Sequence, residues 1–309
     1  MNLRWLECFF ALARELHFGK AADSLFMGQS SLSESIKRLE EHLGGTLFAR
    51  TSRRVELTEF GRSALELLEP GYRDMISAVD TCKAMNSGRK IPLSIGFLGG
   101  GFYELHRPFV REFAQTFPEI SLSFTELTYK THFSALADGD VDLALCRLPV
   151  GAAGLTRGPI LMRDQRVLCV PAGHPLTLDT LVDPERLSQL RLCRIPVGAT
   201  NDEWSDYHFP RYTPAGAPIG VGPVITTVRE GIAAVSAGEG CLMITKRAVD
   251  YYGTPNVEFV YIDLPSMPTA LLRRSSDHRP ILTKTDALLY KIAQRFGTAP
   301  IPEVTTSFR

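Results

Sequence analysis

The residues best suited to chemistry in this chain lie near its N-terminus, on one face of a predicted helix that begins at residue 29. Apolar residues recur at helical spacing on the opposite face: Leu32, Ile36, Leu39 and Leu43. The polar face carries amide, hydroxyl, carboxylate and ammonium groups: Gln29, Ser30, Ser33, Glu34 and Lys37. Such groups can hydrogen bond to the edges of base pairs or contact phosphates. The pattern therefore predicts a helix whose exposed face could read nucleic acid.

A preceding short helix is predicted to hold this one in place. The stretch from Lys20 to Leu25 contains Ala21 and Ala22, small apolar residues that allow a second helix to approach closely. The pattern breaks before the next helix, where Gly28 is the residue best able to adopt an unusual backbone angle. We interpret the two helices as a helix-turn-helix. On these residues alone, an ordinary helical hairpin remains the alternative.

The segment that follows is predicted to form a wing. Gly44-Gly45 ends the helix, and Val55-Glu56-Leu57 alternates like a short strand. Together, the first sixty or so residues resemble the DNA-binding domain of LysR-type transcriptional regulators. The resemblance rests on Phe9 to Ala13, Ala21-Ala22, Leu25, Gln29, Leu32-Ser33, Ile36, Leu39-Glu40, Leu43-Gly44, Leu47-Phe48, Arg50-Thr51, Leu57-Thr58 and Gly61.

The resemblance implies a division of labour on DNA. Bases would be contacted by Gln29, Ser30, Ser33 and Glu34, and phosphates by Lys37, Arg50, Thr51, Arg53 and Arg54. The chain departs from the family pattern at Gly19 and Gly28, where a side chain that caps a helix is usual. It also departs at Glu34, where many relatives carry a basic residue. A carboxylate there can accept a hydrogen bond from cytosine N4, so we expect an altered base preference or a solvent-facing position.

Composition limits the remaining possibilities. The chain has 309 residues and no net charge, so affinity for nucleic acid must come from a local cluster. The six cysteines are far apart, which argues against a disulfide framework and a zinc site. There is no signal segment and no apolar run long enough to cross a membrane. We expect a cytoplasmic protein without a metal or cofactor.

A long helix is predicted from Arg62 to about Asn86. Its apolar residues follow a heptad-like spacing: Leu65, Leu68, Tyr72, Met75, Val79 and Cys82. The simplest partner for such a seam is the same helix of a second subunit, which gives a homodimer. The alternative is an amphipathic helix that folds onto its own domain. Pro70 is expected to kink or split the helix.

Strands and helices alternate after residue 90, which predicts an α/β module. The fold class is α+β multidomain: a winged helix-turn-helix at 1–61, a linker helix and hinge at 62–90, and an effector-binding module at 91–309. The resemblance implies two lobes like those of periplasmic binding proteins, with lobe I at about 91–163 plus 265–309 and lobe II at about 164–264. It also implies homotetramers on an interrupted palindrome, and effector binding that changes the bend of double-stranded DNA.

Ligands of α/β domains bind at the carboxyl ends of strands, beside helix N-termini. The residues at such positions are Gly99, Gly100, Gly101, Thr128, Arg147, Thr200, Asn201, Thr226 and Thr227. Arg147 ends a predicted strand and could clamp a carboxylate, although a salt bridge is an equal alternative. The glycines could expose N–H groups to an anion or simply form a turn. We therefore expect a small organic anion as effector.

The sequence contains no catalytic signature. There is no G-x-S-x-G elbow, and the seven histidines lack metal-ligand spacing. The preferred hypothesis is a DNA-binding transcriptional regulator that responds to a small-molecule effector and is not an enzyme. The alternative is a small-molecule binding protein, or an enzyme on the α/β module, whose N-terminus serves only oligomerisation.

Overall fold

The computed structural model describes residues 2–50, 54–151 and 153–299. The chain divides into two compact units, Met1–Cys82 and Lys83–Arg309.

Within the described residues, the N-terminal unit contains four helices, and their order in the chain is the one expected for a helix-turn-helix followed by a long helix. The helices are α1 (Leu3–Glu15), α2 (Phe18–Ser24), α3 (Gln29–Leu43) and α4 (Glu59–Asn86). On the apolar face of α3, Leu32, Ile36 and Leu39 are fully buried and Leu43 is partly buried, and these residues pack with Phe9 and Phe48 in one core. The hydrophobic periodicity therefore determines which face of α3 stays exposed.

The helix ends differ from the predictions in two places. Gly28 precedes α3 in ordinary extended geometry, with φ −72° and ψ 144°. The left-handed residue of the turn is instead Phe26, with φ 52°. Gly19 lies inside α2 and does not cap it, because His17 is the cap and its Nδ1 accepts a hydrogen bond from the Lys20 N–H at 3.2 Å.

The wing is a two-stranded antiparallel ribbon of β1 (Phe48–Arg50) and β2 (Val55–Leu57). Its base is fixed to α3 because Glu40 Oε1 accepts hydrogen bonds from the Leu47 and Phe48 N–H groups at 2.8 and 3.3 Å. Thr51, Arg53 and the side chain of Arg50 lie outside the described part of the chain.

Helix α4 is continuous through Pro70, so the predicted split does not occur. The apolar seam divides into two parts. Leu65, Leu68 and Tyr72 pack against the core of the N-terminal unit, as the single-domain alternative expected. Farther along, Val79 is 43% exposed. Only the distal part of the seam is therefore open to a partner helix.

The second unit contains a five-stranded sheet with strand order β4-β3-β5-β12-β6, and we call the part built on it lobe I. Its strands are β3 (Ile91–Leu98), β4 (Ile120–Leu127), β5 (Leu143–Arg147), β6 (Leu155–Asp164) and β12 (Met267–Arg274). Strand β3 pairs in parallel with β4 and β5, as the alternating pattern predicted, whereas β12 is antiparallel to β5 and β6. Its helices are α5 (His106–Thr116), α6 (Ser134–Ala137) and α10 (Pro280–Arg295). The last part of the chain thus returns to the first sheet, as expected.

Lobe II is built on a three-stranded antiparallel sheet of order β10-β7-β11 and a parallel pair, β8-β9. Its strands are β7 (Arg166–Pro171), β8 (Arg191–Arg194), β9 (Gly220–Val224), β10 (Leu242–Thr245) and β11 (Val257–Tyr261). Its helices are α7 (Asp202–His208), α8 (Val228–Ser236) and α9 (Val249–Tyr252). The stretch 197–221 contains α7 and the start of β9. Core residues from both lobes form one cluster, which includes Leu127, Trp204 and Ile225.

None of the described helices combines the length and apolar composition that a membrane-spanning segment requires. The six cysteines, all within the described ranges, are present as thiols.

Candidate functional site

The polar face of α3 is accessible along its length. Gln29, Ser30, Glu34 and Lys37 are exposed, and Ser33 is half-buried. Because the opposite face is packed into the core, a ligand that approaches α3 meets these side chains first. The five predicted α3 contacts therefore share one face, whose width and chemistry suit a DNA groove.

Two ion pairs lie on this face, and each joins residues that are one helical turn apart. Arg38 Nε lies 2.9 Å from Glu34 Oε1, and Lys37 Nζ lies 3.8 Å from Glu41 Oε1. All four side chains are more than half exposed, so the pairs add little to stability. They do place Glu41 beside Lys37, the helix cation predicted to contact phosphate, and Glu34 beside Arg38.

The wing contributes Arg54, which pairs with Glu56 across 2.7 Å between Nε and Oε1. Its side chain is 78% exposed, so it remains accessible to a phosphate. The three other predicted wing contacts, the Arg50 side chain, Thr51 and Arg53, lie outside the described residues.

Phe26 is a feature that the sequence reasoning missed. Its side chain is 98% exposed and stands at the turn immediately before α3. A single exposed apolar side chain is common on protein surfaces, so this exposure alone does not identify a contact surface. The sequence carried a signal, since an aromatic residue replaces the polar residue that a turn normally prefers.

In lobe I, Arg147 ends β5 and is 8% exposed. Burial lowers its pKa, but the nearby hydroxyls of Tyr103 and Tyr129 act in the opposite direction, and the net pKa is raised. The Asp164 carboxylate also raises the pKa of Arg147, although it already forms an ion pair with Arg247, whose Nε lies 2.5 Å from Asp164 Oδ1. Within the ranges that the structure describes, no carboxylate forms an ion pair with Arg147. A buried guanidinium without a carboxylate partner is suited to binding an anion.

Unsatisfied polar atoms surround Arg147. Tyr129 Oη, His132 Nε2 and His208 Nδ1 are buried without a hydrogen-bond partner among the described protein atoms. The imidazole rings of His132 and His208 both pack against the Trp204 ring, at 4.7 and 4.4 Å between ring centroids. Buried polar atoms normally have partners, so this cluster indicates a place for a ligand or water.

Burial keeps both histidines neutral. It lowers the pKa of His132 to about 4, and it lowers the pKa of His208 well below its usual value, with Arg147 acting in the same direction. Neutral imidazoles offer one donor and one acceptor each.

The glycine turn after β3 serves mainly backbone geometry. Gly99 and Gly101 have φ of 59° and 60°, which favours glycine. The Gly101 N–H already donates to the Leu98 carbonyl, 3.2 Å away, so the turn offers fewer bare N–H groups than expected. A Cβ on Gly99 would lie 3.0 Å from Val228 Cγ2, which places this turn against the start of α8 in lobe II.

The hydroxyl and amide groups predicted for the effector site are engaged locally. Thr128 Oγ1 lies 3.0 Å from Thr131 Oγ1. Thr200 Oγ1 donates to the Asn201 carbonyl at 3.1 Å, and Asn201 Oδ1 caps α7 by accepting from the Trp204 N–H at 2.8 Å. A ligand would have to compete with these bonds.

The N-terminus of α8 is capped as predicted, and Glu230 is the residue that the prediction missed. Thr227 Oγ1 accepts from the Glu230 N–H at 3.2 Å. The Glu230 carboxylate reaches back to the Thr226 N–H at 2.6 Å and accepts from its hydroxyl at 2.8 Å. These hydrogen bonds from Thr226 lower the pKa of Glu230. The Thr227–Glu230 spacing is a capping box that the sequence displays. It fills the place that we had assigned to an anion.

Several of the predicted effector residues come together between the lobes. The Tyr129 N–H donates to the Thr226 carbonyl at 2.8 Å, and Trp204 Nε1 donates to the Arg147 carbonyl at 2.9 Å. With Gly99 against Val228, these contacts bring the glycine turn, Thr128, Arg147 and the starts of α7 and α8 to one cleft. Thr200 stays one residue outside the cap of α7.

The described residues contain no group of three or more His, Cys, Asp and Glu arranged to hold a metal ion.

Comparisons with known proteins cover both units. A family model described as "Bacterial regulatory helix-turn-helix protein, lysR family" matches residues 3–62, and one described as "LysR substrate binding domain" matches residues 87–285. The chain is 29% identical to the HTH-type transcriptional regulator AlsR of Bacillus subtilis (strain 168), over 91% of this chain and 93% of that protein.

The solved structures are similar in fold. Crystalline CbnR, described as a LysR family transcriptional regulator, aligns with a TM-score of 0.63 at 20% identity over 95% of this chain and 99% of CbnR. Full-length CbnR complexed with its target DNA aligns with a TM-score of 0.60 at 19% identity, over 95% of this chain and 100% of that one. At these identities the likeness shows the shared fold.

Proposed function

Because the chain belongs to the LysR family of bacterial regulatory helix-turn-helix proteins, we propose that it reads a specific DNA sequence with α3 and responds to a small organic anion bound between its two lobes. The observation that carries this proposal is the two-sided character of α3. Leu32, Ile36 and Leu39 on its apolar face are fully buried, while Gln29, Ser30 and Glu34 are exposed on the other face.

We assign base contacts to Gln29, Ser30, Ser33 and Glu34. Phosphate contacts are assigned to Lys37, Arg50, Thr51, Arg53 and Arg54. Exposure of the described members of both groups supports the assignment. The Glu34–Arg38 pair favours a carboxylate that faces solvent in the absence of DNA and exchanges its partner on binding. A carboxylate in that position selects for cytosine and against phosphate.

The effector site is centred on Arg147. Its side chain has no carboxylate partner within the described ranges, and three unsatisfied polar atoms lie around it. The start of α8 is a poor second anion site, since Glu230 already caps it and would repel a carboxylate. We therefore propose that the ligand's carboxylate binds Arg147, while the glycine turn and Thr128 shape the cleft. Thr200, Asn201, Thr226 and Thr227 act by positioning the lobe II backbone.

We further propose a homodimer through the distal part of α4 and a homotetramer on DNA. In this arrangement residues 1–61 form the DNA-binding domain, 62–90 the linker, and 91–309 the effector module. Of the relatives, CbnR has been crystallised with its target DNA. The relatives are transcriptional regulators, so we expect a cytoplasmic protein without enzymatic activity.

Hydroxyl-radical footprinting on DNA from upstream of the gene tests the proposal. A dimer of reading helices should protect two major-groove segments about one helical turn, roughly 34 Å, apart. Protection should be lost with Gln29→Ala and kept with Gln294→Ala, an exposed glutamine on α10. Absence of discrete protection at any salt concentration would contradict a DNA-reading role. It would favour the alternative, a binding protein or enzyme with an N-terminus that only oligomerises.

A further inference from the structure

A pocket of about 550 Å³ that the proposed effector site does not use lies at the edge of lobe II, where the end of β6 from lobe I contributes Arg163 and Asp164 to its lining. Ten residues line it: Arg163, Asp164, Gln165, Val167, Lys246, Arg247, Val249, Asp250, Phe259 and Tyr261. None of the nine residues predicted for the effector site is among them. Its volume lies within the range of roughly 300–1,000 Å³ that is typical of small-molecule sites.

The floor of the pocket is apolar because of the register of the sheet. Strand β11 pairs with β7 so that Tyr261 lies opposite Val167, and Phe259 lies opposite Cys169. Positions two residues apart on a strand share a face, so the Val167, Phe259 and Tyr261 side chains line one surface. Val249 of α9 packs over the same core cluster. This floor suits an aromatic or branched hydrocarbon body.

The rim carries positive charge that the protein does not neutralise. Arg163 and Lys246 are exposed, and neither forms an ion pair within the described parts of the chain. Lys246 Nζ lies 5.5 Å from the centroid of the Tyr261 ring, which directs the ammonium group over the apolar floor. Asp250 supplies one negative charge at the rim, so the two cations leave an excess of one positive charge.

Arg247, in contrast, is fully engaged in the pocket wall. Its Nε lies 2.5 Å from Asp164 Oδ1, and its Nη1 pairs with Glu104. Asp164 and Glu104 belong to lobe I, whereas Arg247 belongs to lobe II. The wall of the pocket is therefore an ion-pair bridge between the lobes.

We propose that this pocket is a second small-molecule site, and that it takes an amphipathic monocarboxylate whose aromatic body covers Val167, Val249 and Phe259 while its carboxylate binds Lys246 and Arg163. A carboxylate in this position also approaches Arg247 and competes with Asp164 and Glu104 for it. Occupancy would thus change the bridge between the lobes. Asp164 also acts on the electrostatics of Arg147, so it connects this pocket to the effector cleft.

Binding of 2-naphthoate to the full-length protein, followed by the fluorescence of the probe, tests the proposal without DNA. Lys246→Gln should weaken binding about tenfold, the loss expected for one charge-assisted hydrogen bond. Val249→Phe should abolish binding by filling the pocket. Lys291→Gln, an exposed lysine on α10, is the matched control and should bind like wild type. The neutral analogue 2-naphthalenemethanol should bind weakly and be insensitive to Lys246→Gln.

Arg147→Gln separates this site from the effector cleft, because it should leave naphthoate binding unchanged. The proposal is wrong if the wild type shows no saturable binding. It is equally wrong if Arg147→Gln removes binding while Lys246→Gln does not, since the probe would then occupy the cleft. Neither result bears on DNA reading, which footprinting measures independently. Thermal melting of each variant confirms that it is folded.

Discussion

Arg38 Nε and Glu34 Oε1 lie 2.9 Å apart on the exposed face of α3, one helical turn from each other. The contact pairs a carboxylate with a cation on the helix that faces DNA in the proposed function. Exposed pairs at this spacing contribute only about 0.3–0.5 kcal/mol, so DNA can break the pair at little cost. We therefore expect the pair to influence DNA recognition more than folding.

Replacing Glu34 should raise the affinity for DNA and lower the selectivity for its sequence. Glu34→Gln removes a negative charge near the phosphates and releases Arg38, so we expect affinity for all DNA sequences to rise several-fold. Preference at one base position should weaken, because the carboxylate no longer accepts from cytosine N4. Competition binding with singly substituted operators measures both effects. Glu41→Gln, which only loses the longer 3.8 Å contact with Lys37, is the control. Unchanged selectivity would remove Glu34 from the base-reading set.

The wing arginine should contribute without regard to sequence. Arg54→Ala is expected to weaken binding to operator and scrambled DNA by the same factor and to reduce the salt slope by about 1, as for the loss of one phosphate contact. Isotherms at four salt concentrations provide the slope. A change in base preference at constant slope would show that Arg54 reads bases instead.

Arg147 should determine effector binding. Arg147→Gln is expected to abolish the thermal stabilisation that small aliphatic carboxylic acids, which lack the aromatic body proposed for the second pocket, give to the wild type, because the ligand loses its charged partner. Arg111→Gln serves as the control, since that side chain is 71% exposed on α5. A carboxylate that stabilises Arg147→Gln as well as wild type would place the anion elsewhere.

The buried side chain of His132 should make the free energy of unfolding sensitive to acid. The His132 pKa is lowered to about 4 by burial, against about 6.5 in the unfolded chain. Between pH 6.5 and pH 4 the unfolded state therefore binds more protons than the folded state. The free energy of unfolding should fall as the pH drops through this range, by about 3 kcal/mol over the whole range. Asp164 and Asp286, whose pKa values burial raises to about 6, act in the opposite direction.

The contribution of His132 is isolated by comparison with His132→Gln. Urea unfolding at a series of pH values should show that the wild type loses stability relative to the variant as the solution is acidified. Parallel pH profiles would mean that the pKa of His132 is the same in the folded and unfolded states, which would contradict the expected effect of burial.

The distal part of α4 should control self-association. Val79→Glu places a charge in the exposed part of the seam and should shift the protein towards monomer in sedimentation velocity. Glu66→Gln, on the exposed surface of the same helix, should sediment like wild type. A Val79→Glu protein with an unchanged oligomeric state would place the dimer contact elsewhere.

Local pattern was sufficient to predict the helices of the N-terminal unit. Leu32, Ile36 and Leu39 recur at helical spacing, and all three are fully buried. The turn before α3 was predicted less well, since Phe26 takes the left-handed angle expected of Gly28. Which residue of the turn takes the left-handed angle depends on how α2 and α3 pack against each other. A short stretch of sequence does not contain that information.

The surroundings of Arg147 lay beyond sequence reasoning for a related reason. Tyr129 and His132 lie in the turn between β4 and α6, whereas Trp204 lies on α7, and only the folded lobes bring these elements to Arg147. The second pocket is harder still, because the register between β7 and β11 creates it. Glu230, in contrast, was readable from its capping-box spacing to Thr227. The strand and helix pattern thus predicts where the cleft lies, while its lining is a tertiary property.

Fluorescence anisotropy with labelled DNA from upstream of the gene, measured over a series of salt concentrations with scrambled DNA as competitor, tests the central proposal most directly. We predict saturable binding that prefers the upstream sequence, with a steep decrease in affinity as salt rises. That preference should be altered by Glu34→Gln and Gln29→Ala. Equal and weak binding to both DNAs at every salt concentration would contradict the proposal that α3 reads a specific sequence.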